Sequence, residues 1–190
     1  EKLRNKLNNL TKTLYKLGDY PMTMPKTTLV KNLRGAPALS EFRIQKLLAQ
    51  CKDLTLPVID IYAEFAHFAQ LNEALTSEED SVLQQLLTYG PTIEEHDPDG
   101  LFILVTPRPG TISPWSSKST DIAHNCGLHK VGRLERGMAY YITVAQDVNL
   151  TAEQTSQLSG LLHDRMMESV FSDFDDATKL FASAEPGTLT

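Results

Sequence analysis

The chain has 190 residues, of which 41% are hydrophobic and 22% charged, a composition typical of a globular protein. Its formal net charge of −6 argues against a nucleic-acid partner, because such partners require a basic surface. No apolar run approaches the roughly 18 residues of a membrane-spanning helix, so we expect no membrane span. Cys51 and Cys126 lack a CxxC partner, and we predict that both are buried free thiols in a cytoplasmic protein.

Residues 1–26 form an N-terminal extension. Its first 20 residues are basic and predict an amphipathic helix, because leucines recur in alternating steps of four and three. This helix either docks on a partner or membrane surface, or packs on its own domain. Pro-containing residues follow, so we place the start of the main domain at residue 27 and its end at residue 183.

Within residues 27–183, strands and helices alternate. The first half predicts strand 28–33, helix 37–52, strand 58–68 and helix 76–87. The second half predicts strand 101–106, helix 114–126, strand-like segments 131–135 and 138–144, helix 151–171 and a short helix 176–182. Residues 184–190 are typical of a linker leading to further domains.

The second half repeats the first. Residues 75–87 match residues 150–162 at seven positions, and both segments open with a helix-capping pattern. A nearby offset pairs Phe65 with Met138 and Val58 with Val131. We therefore predict an α+β fold in which two strand-helix-strand-helix units, 28–90 and 100–171, form a pseudo-dimer with an antiparallel sheet covered by helices. Chance similarity between leucine-rich helices is the alternative.

The start of helix 114–126 is the first candidate site. Ser113 is a good N-cap and Pro114 suits the first helical position. The free N–H groups and positive dipole end of a helix favour anions. Ser116, Ser117 and Lys118 would add hydroxyl donors and one cation. The alternative is a well-capped surface helix with no ligand.

The same helix also carries the three residue types of a hydrolase triad. Ser117, Asp121 and His124 carry the right groups, but residues side by side on one helix rarely achieve triad geometry. Four further histidines show neither HxxxH nor HExxH spacing: His67, His96, His129 and His163. We predict no catalytic residue and no metal ligand in this chain, and expect His67 to be a core residue.

The segment PRPGTISPWSSKSTDIAHNCG (107–127) closely resembles the N-terminal domain of long, single-chain phosphoribosylformylglycinamidine synthase, a glutamine-dependent amidotransferase of purine biosynthesis. Further similar segments are LRGAPALSEFRIQKLLAQ (33–50), IYAEFAHFA (61–69), LTYGP (87–91), RLERGMAYYI (133–142) and LHDRMMESVF (162–171). The 103–138 block also resembles the separate small subunit PurS, which usually has Asp-Pro where this chain has Ser113-Pro114. The resemblance therefore implies a PurS-like domain.

The family reaction uses ATP, with magnesium, to activate formylglycinamide ribonucleotide, and ammonia from glutamine then completes the amidine. The resemblance places these activities in synthetase and glutaminase domains of the same polypeptide, with no cofactor in this chain. It implies a bridging role for this domain, which helps to enclose the ammonia path, with possible substrate contact. A free-standing PurS-like binding or regulatory module is the alternative.

The resemblance also suggests which residues face the synthetase domain or substrate. We expect Lys118 and Arg136 to neutralise acidic or phosphate groups there. The full set of interface residues is Ser113, Pro114, Trp115, Ser116, Ser117, Lys118, Thr120, Asp121 and Arg136.

Overall fold

A computed structural model describes residues 29–91, 98–145 and 148–181. The predicted N-terminal helix, the C-terminal linker and His96 lie outside these residues. The described part contains β1 Leu29–Pro37, α1 Glu41–Asp53, β2 Val58–Leu71, α2 Ser77–Leu87, β3 Leu101–Pro107, α3 Pro114–Asn125, β4 Val131–Val144, α4 Ala152–Leu162, β5 Glu168–Phe171 and a 3₁₀ helix, Asp175–Phe181. The predicted α+β class is confirmed.

The five strands form one antiparallel sheet in the order β1-β2-β4-β3-β5. The two long strands, β2 and β4, pair at its centre over almost their full length. Phe65 lies directly opposite Met138, its partner in the sequence match between the two halves. The order strand, helix, strand, helix occurs twice, as the pseudo-dimer requires, while the duplication itself stays a prediction.

Both faces of the sheet are covered, which explains why the central strands are so apolar. On one face, Ile61 and Ala63 pack with buried residues of α1 and α4. Ala69 and Leu71 on the same face pack with α2 and α3. On the opposite face, Phe68 contributes to a smaller core closed by Ala177 and Leu180 of the 3₁₀ helix.

Helices α2 and α4 begin at the two capping patterns found in the sequence. The Thr76 side chain accepts a hydrogen bond from the Glu79 N–H at 3.2 Å, while the Glu79 carboxylate accepts from the Thr76 N–H at 2.7 Å. Thr151 and Gln154 make the same reciprocal pair at 3.2 and 3.0 Å. Each box satisfies two N–H groups that a helix start otherwise leaves unpaired.

The predicted long helix 151–171 is wrong. Helix α4 ends at Leu162, and His163 is already extended. The Asp164 carboxylate then accepts from the Met166 N–H, and the Glu168 carboxylate accepts from the Asp164 N–H, both at 2.8 Å, which fixes a turn. Residues Glu168–Phe171 then form β5 on the outer side of β3, because pairing there satisfies their backbone groups.

The central strand of the second half also differs from prediction. Residues 131–144 form one continuous strand rather than two segments. Gly137 lies inside it because a Cβ atom at this position would approach the Val105 carbonyl oxygen to 2.6 Å.

Cys51 is buried as predicted, and burial raises the pKa of its thiol. Cys126 is exposed at the end of α3, so its predicted burial is wrong.

Candidate functional site

Helix α3 begins as its sequence predicts. Ser113 is the N-cap, and its hydroxyl oxygen accepts a hydrogen bond from the Ser116 N–H at 3.0 Å. Pro114 occupies the first turn, where its lack of an N–H costs nothing. The cap also fixes where the chain leaves the loop after β3.

The anion at this helix start is Glu135 of β4, a fully buried residue. The Ser113 N–H and hydroxyl donate to its two carboxylate oxygens at 3.2 and 2.8 Å. Arg133, two residues earlier on the same face of β4, forms an ion pair with the same carboxylate. This N-cap, a candidate site for an external anion, therefore already contacts an internal one.

Glu135 is the residue that sequence reasoning missed. Its distance of 22 residues from Ser113 hides the contact in a linear reading. The available signal was the alternation of Arg133 and Glu135 in an otherwise apolar strand, which places opposite charges side by side on one face.

Polar residues further along α3 cover the first part of β4, which β3 does not reach. Strand β3 pairs only with residues from Met138 onward, so the outer edge of residues 131–136 needs other partners. The Thr120 hydroxyl oxygen accepts from the Leu134 N–H at 2.9 Å, and His124 Nε2 donates to the Val131 carbonyl at 2.7 Å. Thr120 and His124 thus take the place of a neighbouring strand.

The Nε2 atom of His124 is engaged by the Val131 carbonyl rather than by Ser117. The Ser117 and Asp121 side chains are exposed on the helix. No hydrogen bond joins any two of these three side chains in the described part of the chain. The arrangement gives no support to a hydrolase triad, in line with the geometric argument against it.

Trp115 and Arg136 meet on the helix-covered face of the sheet. The Arg136 guanidinium carbon lies 5.0 Å from the Trp115 ring centroid and 4.4 Å from that of Phe65. Arg136 Nη1 donates to the Tyr89 hydroxyl at 3.1 Å, and that hydroxyl is 2.7 Å from Nε2 of His67. These five residues, here called the arginine–aromatic cluster, join β2, β4, α3 and the segment after α2.

His67 is buried in this cluster as predicted, opposite Arg136 in the β2–β4 pair. Burial, reinforced by the nearby Arg136 charge, lowers the pKa of His67 to about 4. The imidazole is therefore neutral at pH 7, and Arg136 carries the positive charge of the cluster.

Residues 64–181 match the family model described as the N-terminal region of formylglycinamide ribonucleotide amidotransferase. The matched segment covers more than half of the chain and includes α3, β4 and every candidate site residue. The chain belongs to this family. The enzyme is phosphoribosylformylglycinamidine synthase of purine biosynthesis, so the resemblance seen in the sequence is confirmed.

In this chain, the nine residues suggested by the resemblance divide into three groups. Ser113 and Thr120 are engaged in holding α3 against β4, and Ser116 is fully buried. Pro114, Ser117, Lys118 and Asp121 are exposed on α3, whereas Trp115 and Arg136 are half-buried.

The chain also has an apolar hollow of about 270 Å³ beside Ser113 and Pro114. Ile112, Met166 and Met167 line it and are 64%, 78% and 69% exposed. Among the described residues, no group of His, Cys, Asp or Glu side chains is arranged to hold a metal ion. No helix in this part of the chain has the length and apolar character needed to cross a bilayer.

Proposed function

We propose that this chain is a structural, non-catalytic domain of the amidotransferase that converts formylglycinamide ribonucleotide to formylglycinamidine ribonucleotide. In this proposal it bridges the synthetase and glutaminase domains and helps to enclose the path of ammonia between them. ATP, magnesium and the glutamine-derived ammonia are used in those other domains. The supporting observation is a set of hydrogen bonds that hold α3 against β4. They are formed by the side chains of Ser113, Thr120 and His124.

The same observation supports a docking surface on the outer side of α3. With its inner side bonded to β4, α3 presents Ser117, Lys118 and Asp121 to solvent. Trp115 lies in the first turn of the same helix, and Arg136 of β4 lies against its ring. A rigid helix that exposes small and charged side chains can seat on a complementary domain surface without the entropy cost of ordering a loop. We infer that this face meets the synthetase domain, where the ribonucleotide substrate is also within possible reach.

The test is charge reversal in the complete amidotransferase polypeptide. An interfacial charge of this kind contributes about 1 kcal/mol, so Lys118→Glu should lower glutamine-dependent synthesis roughly fivefold. Synthesis from added ammonium should change less, because ammonia then does not have to travel between domains. The measurement is the product formed per glutamine hydrolysed, compared with synthesis from ammonium.

Lys46→Glu is the matched control, because Lys46 is an exposed lysine on α1 rather than α3. It should leave the ratio of product to hydrolysed glutamine unchanged. An unchanged ratio in Lys118→Glu would contradict the assignment of α3 to the interface between domains.

A further inference from the structure

Arg136 is held in a fixed position by the arginine–aromatic cluster. Its guanidinium lies against the rings of Phe65 and Trp115, and one N–H group is used by the Tyr89 hydroxyl. A guanidinium carries five N–H donors in a planar fork. Stacking on aromatic rings restricts the side chain, so the remaining donors are presented with little loss of rotamer entropy on binding.

The positive charge of Arg136 has no acidic partner in residues 29–91, 98–145 and 148–181. Its neighbour Glu135 points to the opposite face of β4 and pairs with Arg133. The ion pairs found in these residues use other cations. The ring contacts and the Tyr89 hydrogen bond hold Arg136 in place but do not neutralise its charge, so a carboxylate brought by a partner would form a charge-assisted hydrogen bond there.

We propose that Arg136 is a preformed receptor for one carboxylate, supplied by an Asp or Glu side chain of the synthetase domain that docks on α3. This inference rests on the proposed docking of α3 and names the chemistry recognised there. It also makes Phe65, Tyr89 and His67 positioning residues for Arg136.

A carboxylate fits better than a phosphate because of its charge. The planar fork of a guanidinium can form a bidentate pair with two oxygens of either group. The cluster supplies one positive charge, since the buried His67 is neutral at pH 7. That charge balances a carboxylate, whereas a phosphate carries up to two negative charges at neutral pH.

A zero-length crosslink tests the proposal. Arg136→Lys keeps a cation between the rings but replaces the guanidinium with an amine. A water-soluble carbodiimide joins an amine to a carboxylate only where the two are in contact. In the complete amidotransferase polypeptide, mass spectrometry should then find residue 136 joined to an Asp or Glu of the synthetase domain. Arg43→Lys, at an exposed arginine of α1, is the control and should give no adduct to that domain.

A second measurement needs no substitution at Arg136. Phenylglyoxal modifies accessible guanidinium groups, so Arg136 should react in the 190-residue chain and be protected in the complete polypeptide. Equal modification in both would overturn the proposal. So would an Arg136→Lys polypeptide that folds but gives no adduct, or one whose adduct lies within residues 1–190.

The outcome also separates this inference from the proposed function. Suppose that Lys118→Glu lowers the product formed per glutamine hydrolysed, but that residue 136 gives no crosslink to the synthetase domain. Then α3 docks on that domain, but Arg136 does not bind a carboxylate there. If Lys118→Glu has no effect and residue 136 also gives no adduct, both proposals are wrong.

Discussion

The contact between Ser113 and Glu135 makes Ser113→Asp an informative substitution. Asp and Ser are equally good N-caps, and the related small subunit usually has Asp at this position, so the local sequence predicts no loss of stability. In the folded chain, however, the Ser113 hydroxyl donates to the Glu135 carboxylate at 2.8 Å. An aspartate there would place a second carboxylate against a fully buried one.

The magnitude follows from the charges. Two unit charges 4 Å apart repel by about 4 kcal/mol at an effective dielectric constant of 20. The lost hydrogen bond to a charged acceptor adds about 1.5–3 kcal/mol, while the Arg133 ion pair offsets part of the repulsion. We therefore expect Ser113→Asp to lower the free energy of unfolding by about 3 kcal/mol.

The assay is urea denaturation at pH 7, arranged as a double-mutant cycle with Glu135→Gln. That substitution alone should cost about 3 kcal/mol, because Arg133 loses its partner. In the Glu135→Gln background, an aspartate at position 113 can accept a hydrogen bond from the glutamine amide. Ser113→Asp should then cost less than about 1 kcal/mol, which gives a coupling energy of at least about 2 kcal/mol.

Two results would refute this reasoning. A Ser113→Asp chain as stable as the parent would mean that local capping, rather than the buried carboxylate, decides what position 113 tolerates. Additive effects in the cycle would mean that Ser113 and Glu135 do not interact energetically.

Three further predictions concern the support of α3 and the centre of the sheet. Thr120→Val should lower the free energy of unfolding by about 1–3 kcal/mol in urea denaturation, because it leaves the Leu134 N–H without an acceptor, while Thr120→Ser should be near neutral. His67 stays neutral in the folded chain to about pH 4, whereas the unfolded chain takes up its proton near pH 6.5. The free energy of unfolding therefore decreases as pH falls through this window, by up to about 3 kcal/mol. Urea denaturation of His67→Gln should not show this pH dependence. Gly137→Ala should lower the melting temperature, because its Cβ would meet the Val105 carbonyl oxygen at 2.6 Å, and an unchanged melting temperature would show that β3 can move aside.

Most of the elements could be predicted because their signals are local. The capping boxes at Thr76 and Thr151 and the Ser113-Pro114 start each lie within four residues, and the structure confirms all three. The prediction failed after Leu162, where helical spacing of apolar residues continues but Val170 and Phe171 pair with β3 instead. A short apolar run fits a helix or a strand, and only the available sheet edge decides between them.

The α3 part of the candidate site was also predictable, because its residues lie close together in the sequence. The N-cap pattern and the family resemblance of the 107–127 motif identified the residues of α3, but they could not separate those that hold the helix from those that face solvent. The family resemblance identified Arg136. Its partners Phe65, His67 and Tyr89 precede it by between 47 and 71 residues, so no local pattern connects them to it.

The sequence by itself determined the α+β class, the helix starts and the family, because composition, caps and a contiguous motif are properties of neighbouring residues. The tertiary structure alone decided that Glu135 is the anion at α3, that Thr120 and His124 complete the edge of β4, and that Arg136 lies between two rings. These contacts depend on the register of β2 with β4 and on where β3 ends. Such long-range pairings arise from packing of the whole sheet, which no local pattern specifies.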